Sequence, residues 1–204
     1  MNLTNAKTIW TVSMDAGTGT PVGQFKVAVN GGTATPFAVK GMCYSPCPIN
    51  GSNGDAPALG DWFWDSFSGT GFSITNWKAI WDRDFPNLRS MGVNALRVYS
   101  TLSRQLNADG SYPSPWNSGQ LFTHTDFLDK CWNNGDNPMY VMVGIPMPQQ
   151  MFWKNLYDTL GNTEKAFWTN VLQETVAQMA NHPAVMGFVV QNEMDHRLLR
   201  LSPF

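Results

Sequence analysis

The chain has 204 residues, 43% of them hydrophobic and 14% charged, with a formal net charge of -2. That apolar share excludes a disordered chain, and a charge so near zero argues against nucleic acid held by phosphate neutralisation. The length is enough to bury the core of one domain, yet it falls short of the roughly 250 residues typical of a complete eight-fold (β/α) barrel.

The first 36 residues read as β-structure. Ile9 to Met14 is a strand, and Phe25, Val27 and Val29 alternate with Lys26, Ala28 and Asn30 at the period of a second. Asn30-Gly31-Gly32 is a turn, because these residues accept positive φ. Phe37 to Tyr44 reads as the next strand. Ser45 to Thr75 is a long loop rich in Gly, Pro, Ser and Asn that also carries Trp62, Phe63, Trp64 and Phe67.

From Asn76 the spacing is helical: Trp77, Ile80, Trp81, Phe85, Leu88 and Met91 recur on one face. Pro86 fits the first turn of the main helix, and Gly92 ends it. Val93 to Tyr99 is a strand, and Ser100 to Thr123 a polar loop. Asp126 to Asn133 is a short helix closed near Gly135. Met139 to Ile145 is a third apolar strand, followed by a loop with Pro146, Pro148, Trp153 and Tyr157. Glu164 to Ala180 is a helix with Phe167, Val171, Leu172, Val176 and Met179 on one face. His182-Pro183 caps the turn into a last strand, Ala184 to Val190. Continuous apolar strands alternating with helices imply a parallel sheet covered by helices. The expected fold is therefore α/β.

No apolar run approaches the roughly 18 residues of a membrane span. Met1 to Trp10 shows no apolar core of a signal peptide. Of three cysteines, Cys43 and Cys47 lack the second pair of a zinc site; a disulfide from Cys43 to Cys47 or to Cys131 fits equally. Neither a phosphate-binding G-x-x-x-x-G-K-[ST] nor a G-x-G-x-x-G loop is present, and the three histidines are scattered, so no cofactor or metal is expected. Nine Trp, 12 Phe and 5 Tyr supply rings that either stack on sugar faces or fill core.

The last strand runs into Gln191-Asn192-Glu193. A carboxylate at the C-terminal end of a buried parallel strand is a functional position, and burial there raises its pKa as a general acid needs. His182-Pro183 followed by Phe188-Val-Val-Gln-Asn192-Glu193 resembles the fourth strand of the clan A glycoside hydrolases. Lys40-Gly41-Met-Cys-Tyr44, Arg83-Asp84-Phe-Pro86-Asn-Leu88 and Gly92-Val-Asn94-Ala-Leu-Arg97-Val98-Tyr99 are similar to one branch, the fungal cell-wall β-1,3-glucanosyltransferases and their bacterial relatives.

The resemblance implies a TIM-barrel type fold, of which residues 37–195 would be the N-terminal half with about four parallel strands. A β-hairpin segment (1–36) would precede it and a divergent tail (196–204) follow. It implies a retaining glycosidase or transglycosylase acting on β-glucan-like polysaccharide, outside the cell, with Glu193 as acid/base and Asn192 on the sugar 2-hydroxyl. Arg97 would lie near the nucleophile, with Tyr99 and Tyr44 on the substrate side and Trp62 and Trp64 in substrate binding. Packing is the other reading of Arg97, Tyr44 and Tyr99. The family's nucleophile is a second glutamate on a seventh strand. Of the three glutamates here, Glu164 and Glu174 belong to a helix, so the chain shows half a catalytic pair. The expectation is a halved barrel, of reduced or no activity alone, whose open edges lead to homo-oligomers. The alternative is a non-catalytic carbohydrate-binding or assembly module.

Overall fold

The structure, a computed structural model, describes residues 7–15, 22–44, 74–99, 101–104, 121–123, 125–145, 147, 151–152 and 157–190. It is α/β, with a parallel sheet of four strands and an antiparallel sheet of three.

Strands β1 (Thr8–Asp15) and β2 (Val22–Val29) pair antiparallel along their whole length, from Thr8 opposite Val29 to Asp15 opposite Val22. Asn30 and Gly31 turn the chain with φ of 52° and 73°, and β3 (Thr35–Pro36) returns along β2. The expected turn is thus the one found. Asparagine tolerates the left-handed region because its short amide bonds nearby backbone, here the N–H of Lys7 at 2.9 Å.

The parallel sheet consists of β4 (Gly41–Cys43), β5 (Ala95–Val98), β8 (Tyr140–Gly144) and β9 (Val185–Val189), side by side in chain order. Between β5 and β8 run β6 (Leu102–Arg104) and β7 (Leu121–Thr123), an antiparallel pair inside the stretch expected to be a polar loop. The expected strand at 37–44 is cut short to Gly41–Cys43. Ahead of it, the Asn94 side chain takes the place of a ladder. It donates to the Ala38 carbonyl at 2.8 Å and accepts from the Lys40 N–H at 2.7 Å.

Helix α1 (Ile74–Ser90) begins well before Pro86, so that proline is internal rather than in the first turn. The hydrogen bond it forgoes would reach the carbonyl of Asp82, and both residues lie on the exposed side of the helix. On the other side Ile80, Trp81, Phe85 and Leu88 are buried, while Met91, expected in the same stripe, is 67% exposed. The helix closes as expected on Gly92 (φ 77°), with Val93 N–H donating to Leu88 at 3.1 Å and Gly92 N–H to Arg89 at 2.9 Å. These are the two bonds of a Schellman turn.

Helix α2 (Thr125–Trp132) runs into a 3-10 turn at Asn133–Gly135, where three successive residues hold positive φ. The Arg89 guanidinium stitches α1 to this end, donating to the carbonyls of Lys130 (2.8 Å), Cys131 (3.3 Å) and Asn137 (3.1 Å). Helix α3 (Asn162–Met179) starts with the Glu164 carboxylate accepting from the Gly161 N–H at 3.1 Å. Its fully covered line is Phe167, Val171, Thr175 and Met179, four residues apart. Leu172 and Val176 are half-buried.

Leu96, Val98, Val141 and Val143 are buried in one cluster with Phe85, Phe127, Leu128 and Trp132. Ile145 joins Phe167 and Val171 of α3 in a second cluster. Burial on both faces holds for the inner strands β5 and β8, but not for the edge strands β4 and β9. The antiparallel sheet packs on the starting ends of β8 and β9. The Trp10 ring meets Tyr140 edge-on at 4.7 Å, its Nε1–H donates to the Val185 carbonyl at 3.3 Å, and the Thr8 hydroxyl donates to the Pro183 carbonyl at 2.7 Å. Among the described residues no helix is long and apolar enough to cross a membrane.

Candidate functional site

The finishing ends of the parallel strands bring together two of the three sequence-derived site residues that the structure describes, Arg97 and Tyr99. Arg97 lies in register between Cys43 of β4 and Met142 of β8. Tyr99 follows two residues later, just past the end of β5 at Val98. The guanidinium carbon of Arg97 sits 5.0 Å from the centroid of the Tyr99 ring. A cation over a ring at this distance is attracted to its negative face, which fixes the long arginine chain beside the tyrosine.

Tyr44 lies elsewhere. Its N–H donates to the Arg97 carbonyl at 2.8 Å, which sets it level with Val98, in the layer facing the helices. Its ring stacks on Phe127 (6.0 Å, 7°) and meets Phe85 at 5.8 Å. Its hydroxyl donates to Asp84 Oδ2 at 3.0 Å, and Arg83 grips both oxygens of that carboxylate at 2.6 and 3.0 Å. Burial, and then the negative charge of Asp84, push the Tyr44 hydroxyl well above the ordinary tyrosine range. The structure therefore brings Arg97 and Tyr99 together and sets Tyr44 in the packing between sheet and helices.

Asn192, Glu193, Trp62 and Trp64 lie outside the described residues, as do Asp61, Asp65 and Asp195. Along the chain, Asn192 and Glu193 come three and four positions after Val189, the last residue of β9. At that end the Ile145 N–H donates to the Val189 carbonyl at 2.8 Å, so β8 and β9 finish level.

Strands β4, β5, β8 and β9 carry no carboxylate. Glu164 caps α3, and Glu174 accepts from Gln178 at 3.1 Å on the same helix. Asp82, Asp126 and Asp129 line a surface cleft of about 420 Å³ between α1 and α2, with Trp81, Lys130, Asn133 and Asn134. Lys130 pairs with Asp82 across it. This cleft is built from the helices and the turn after α2, without a residue of the parallel sheet. No group of three or more metal-ligating side chains occurs among the described residues.

His182 closes the turn between α3 and β9, as expected. The Ala184 N–H donates to its Nδ1 at 3.1 Å, so that nitrogen carries no proton and Nε2–H donates to Asp129 at 3.0 Å. Cys43 and Cys131 are free thiols, the first exposed and the second in the core, so no bond joins them. Burial pushes the Cys131 thiol up.

Gly144 closes β8 against the backbone of Val98 and Tyr99, too close for any side chain. A lone glycine inside the apolar run MYVMVGI was the available signal. Compared with family models, with curated proteins and with solved structures, the chain matches none of them.

Proposed function

We propose that this chain carries the first four units of a (β/α)-barrel glycosidase or transglycosylase of retaining type, with its substrate lying over the finishing ends of the parallel strands. One observation supports this most. The four parallel strands stand in chain order, without the order reversal of a doubly wound sheet, and Arg97, Tyr99 and the chain leading to Glu193 all leave from one end. In this reading Glu193 protonates the leaving oxygen and then activates water or an acceptor sugar hydroxyl. Asn192 holds the 2-hydroxyl, Arg97 and Tyr99 border the reacting sugar, and Trp62 and Trp64 offer stacking faces. Tyr44 supports the strand from behind. The substrate is a β-glucan-like polysaccharide.

A retaining site needs a second carboxylate about 5–5.5 Å from the first. The four parallel strands supply none, so the partner of Glu193 comes from outside them. That observation favours a second reading, a non-catalytic module that binds carbohydrate or assembles through the edge strands β4 and β9. Hydrolysis and transfer assays on β-1,3-gluco-oligosaccharides, with Glu193→Gln as control, separate the two. Turnover, however weak, that Glu193→Gln abolishes would exclude the module. Equal binding by both proteins with turnover by neither would leave only the module.

A further inference from the structure

Strand β8 ends on Gly144, and the direction a Cβ would take from it is already filled. A methyl group there would lie 2.6 Å from the Val98 carbonyl oxygen and would overlap the carbonyl of Tyr99 outright. Both obstacles are backbone, which cannot swing aside as a side chain can. Gly187, on the neighbouring strand, differs: a methyl there meets only the end of Met142, at 3.4 Å. The crowding at Gly144 thus marks one point, where the chain leaves β5 after Val98 and passes against the end of β8.

We propose that Gly144 is a positioning residue for the Arg97–Tyr99 pair. By having no side chain, it lets the Tyr99 backbone settle against β8, and so sets the Tyr99 ring where it receives the Arg97 guanidinium. The functional half of this inference rests on the reading that these strand ends hold a sugar. A side chain at 144 would displace Tyr99, separate the ring from the guanidinium and spoil the border of the site. Displacements of this order cost about 100-fold in rate when they fall on a group that orients substrate.

The test compares Gly144→Ala with Gly187→Ala in the full chain. Proton NMR reads the pair directly, because the Arg97 Hδ signals are shifted by the Tyr99 ring current, with Tyr99→Leu as the unshifted reference. Gly144→Ala is expected to lose that shift and about 100-fold in turnover of a β-1,3-gluco-oligosaccharide, while Gly187→Ala keeps both. A native Arg97 shift in Gly144→Ala overturns the proposal. Should Gly144→Ala fail to fold, the unaltered chain still decides: absence of a nuclear Overhauser contact between the Hα protons of Gly144 and Tyr99 overturns it. If the unaltered chain neither binds nor cleaves the sugar, the glycosidase reading falls, and the Arg97 shift decides the positioning role by itself.

Discussion

Replacing Tyr44 by Phe removes one hydroxyl and leaves the ring to pack on Phe85 and Phe127. The lost bond is the one to Asp84 Oδ2, 3.0 Å long. A hydrogen bond to a charged group contributes about 1.5–3 kcal/mol. Arg83 continues to hold both Asp84 oxygens, so the carboxylate is not left bare. The loss therefore belongs at the lower end, about 1.5 kcal/mol. In a chain of this size, that lowers Tm by about 3–6 °C. Thermal unfolding followed by circular dichroism measures it. A Tyr44→Phe protein with unchanged Tm and weakened glucan binding would refute the reasoning, and would return Tyr44 to the substrate side.

The same variant has a pH signature. Tyr44 holds its proton more tightly in the folded chain than in the unfolded one, first because it is buried and then because Asp84 repels the phenolate. Its contribution is whole below the ordinary tyrosine value of about 10 and is lost as pH rises above it. Cys131 and Tyr140, both raised by burial, act with the same sign, the thiol from about pH 8.5 upward. Stability should thus decline on the alkaline side, and Tyr44→Phe should flatten the part of the decline above about pH 10. Parallel Tm curves for the two proteins between about pH 9 and 11 would contradict the assignment.

Two further substitutions probe the joints of the fold. Arg89→Ala removes the three carbonyl bonds that close α2 and should cost about 2–3 kcal/mol in urea unfolding. Arg89→Lys should recover less than half of that, because a single ammonium cannot span three acceptors; full recovery would mean that charge alone matters. Asn94→Ala should cost about 2 kcal/mol and speed amide exchange at Lys40. Asn94→Asp keeps an acceptor for Lys40 but cannot donate to Ala38, and should fall between; Lys40 protection equal in all three proteins would exclude the staple.

Much of the scaffold was legible because it obeys local rules. Gly92 ends α1, Asn30-Gly31 turns the chain out of β2 and His182 closes the last crossover, and at each a backbone N–H finds an acceptor two to five positions back. The departures have several causes, and only one of them is distant in the chain. The run from Phe37 to Tyr44 looks like one strand, yet a side chain 54 positions from Lys40 takes over half of it. Thr175, a polar residue outside the expected stripe of α3, is fully buried, while Leu172 and Val176 within that stripe are half-buried. Thr175 can be, because its hydroxyl donates to the Val171 carbonyl one turn earlier, at 2.7 Å. The missing N–H of Pro86 favours a helix start, yet the residue lies inside α1. The buried row of Ile80, Trp81, Phe85 and Leu88 carries the helix through it.

The two tyrosines show what a motif leaves open at the site itself. Both follow a short strand, and from sequence both are expected on the substrate side. Arg97 and Tyr99 are two residues apart, the second one step past the end of β5, and the pleat carried on by that one step gives them a shared side. The side of Tyr44 relative to them depends on how β4 is aligned with β5, a fact between strands that neither stretch of sequence contains. With Cys43 opposite Arg97, Tyr44 falls level with Val98 and turns toward the helices. Sliding β4 by one residue would reverse this, exposing Tyr44 beside Arg97 and burying Cys43. The Asn94 staple on residues 38–40 resists that slide, because it ties the segment leading into β4 to the start of β5. The residue that decides which tyrosine stands beside Arg97 is therefore an asparagine at the opposite end of the strand.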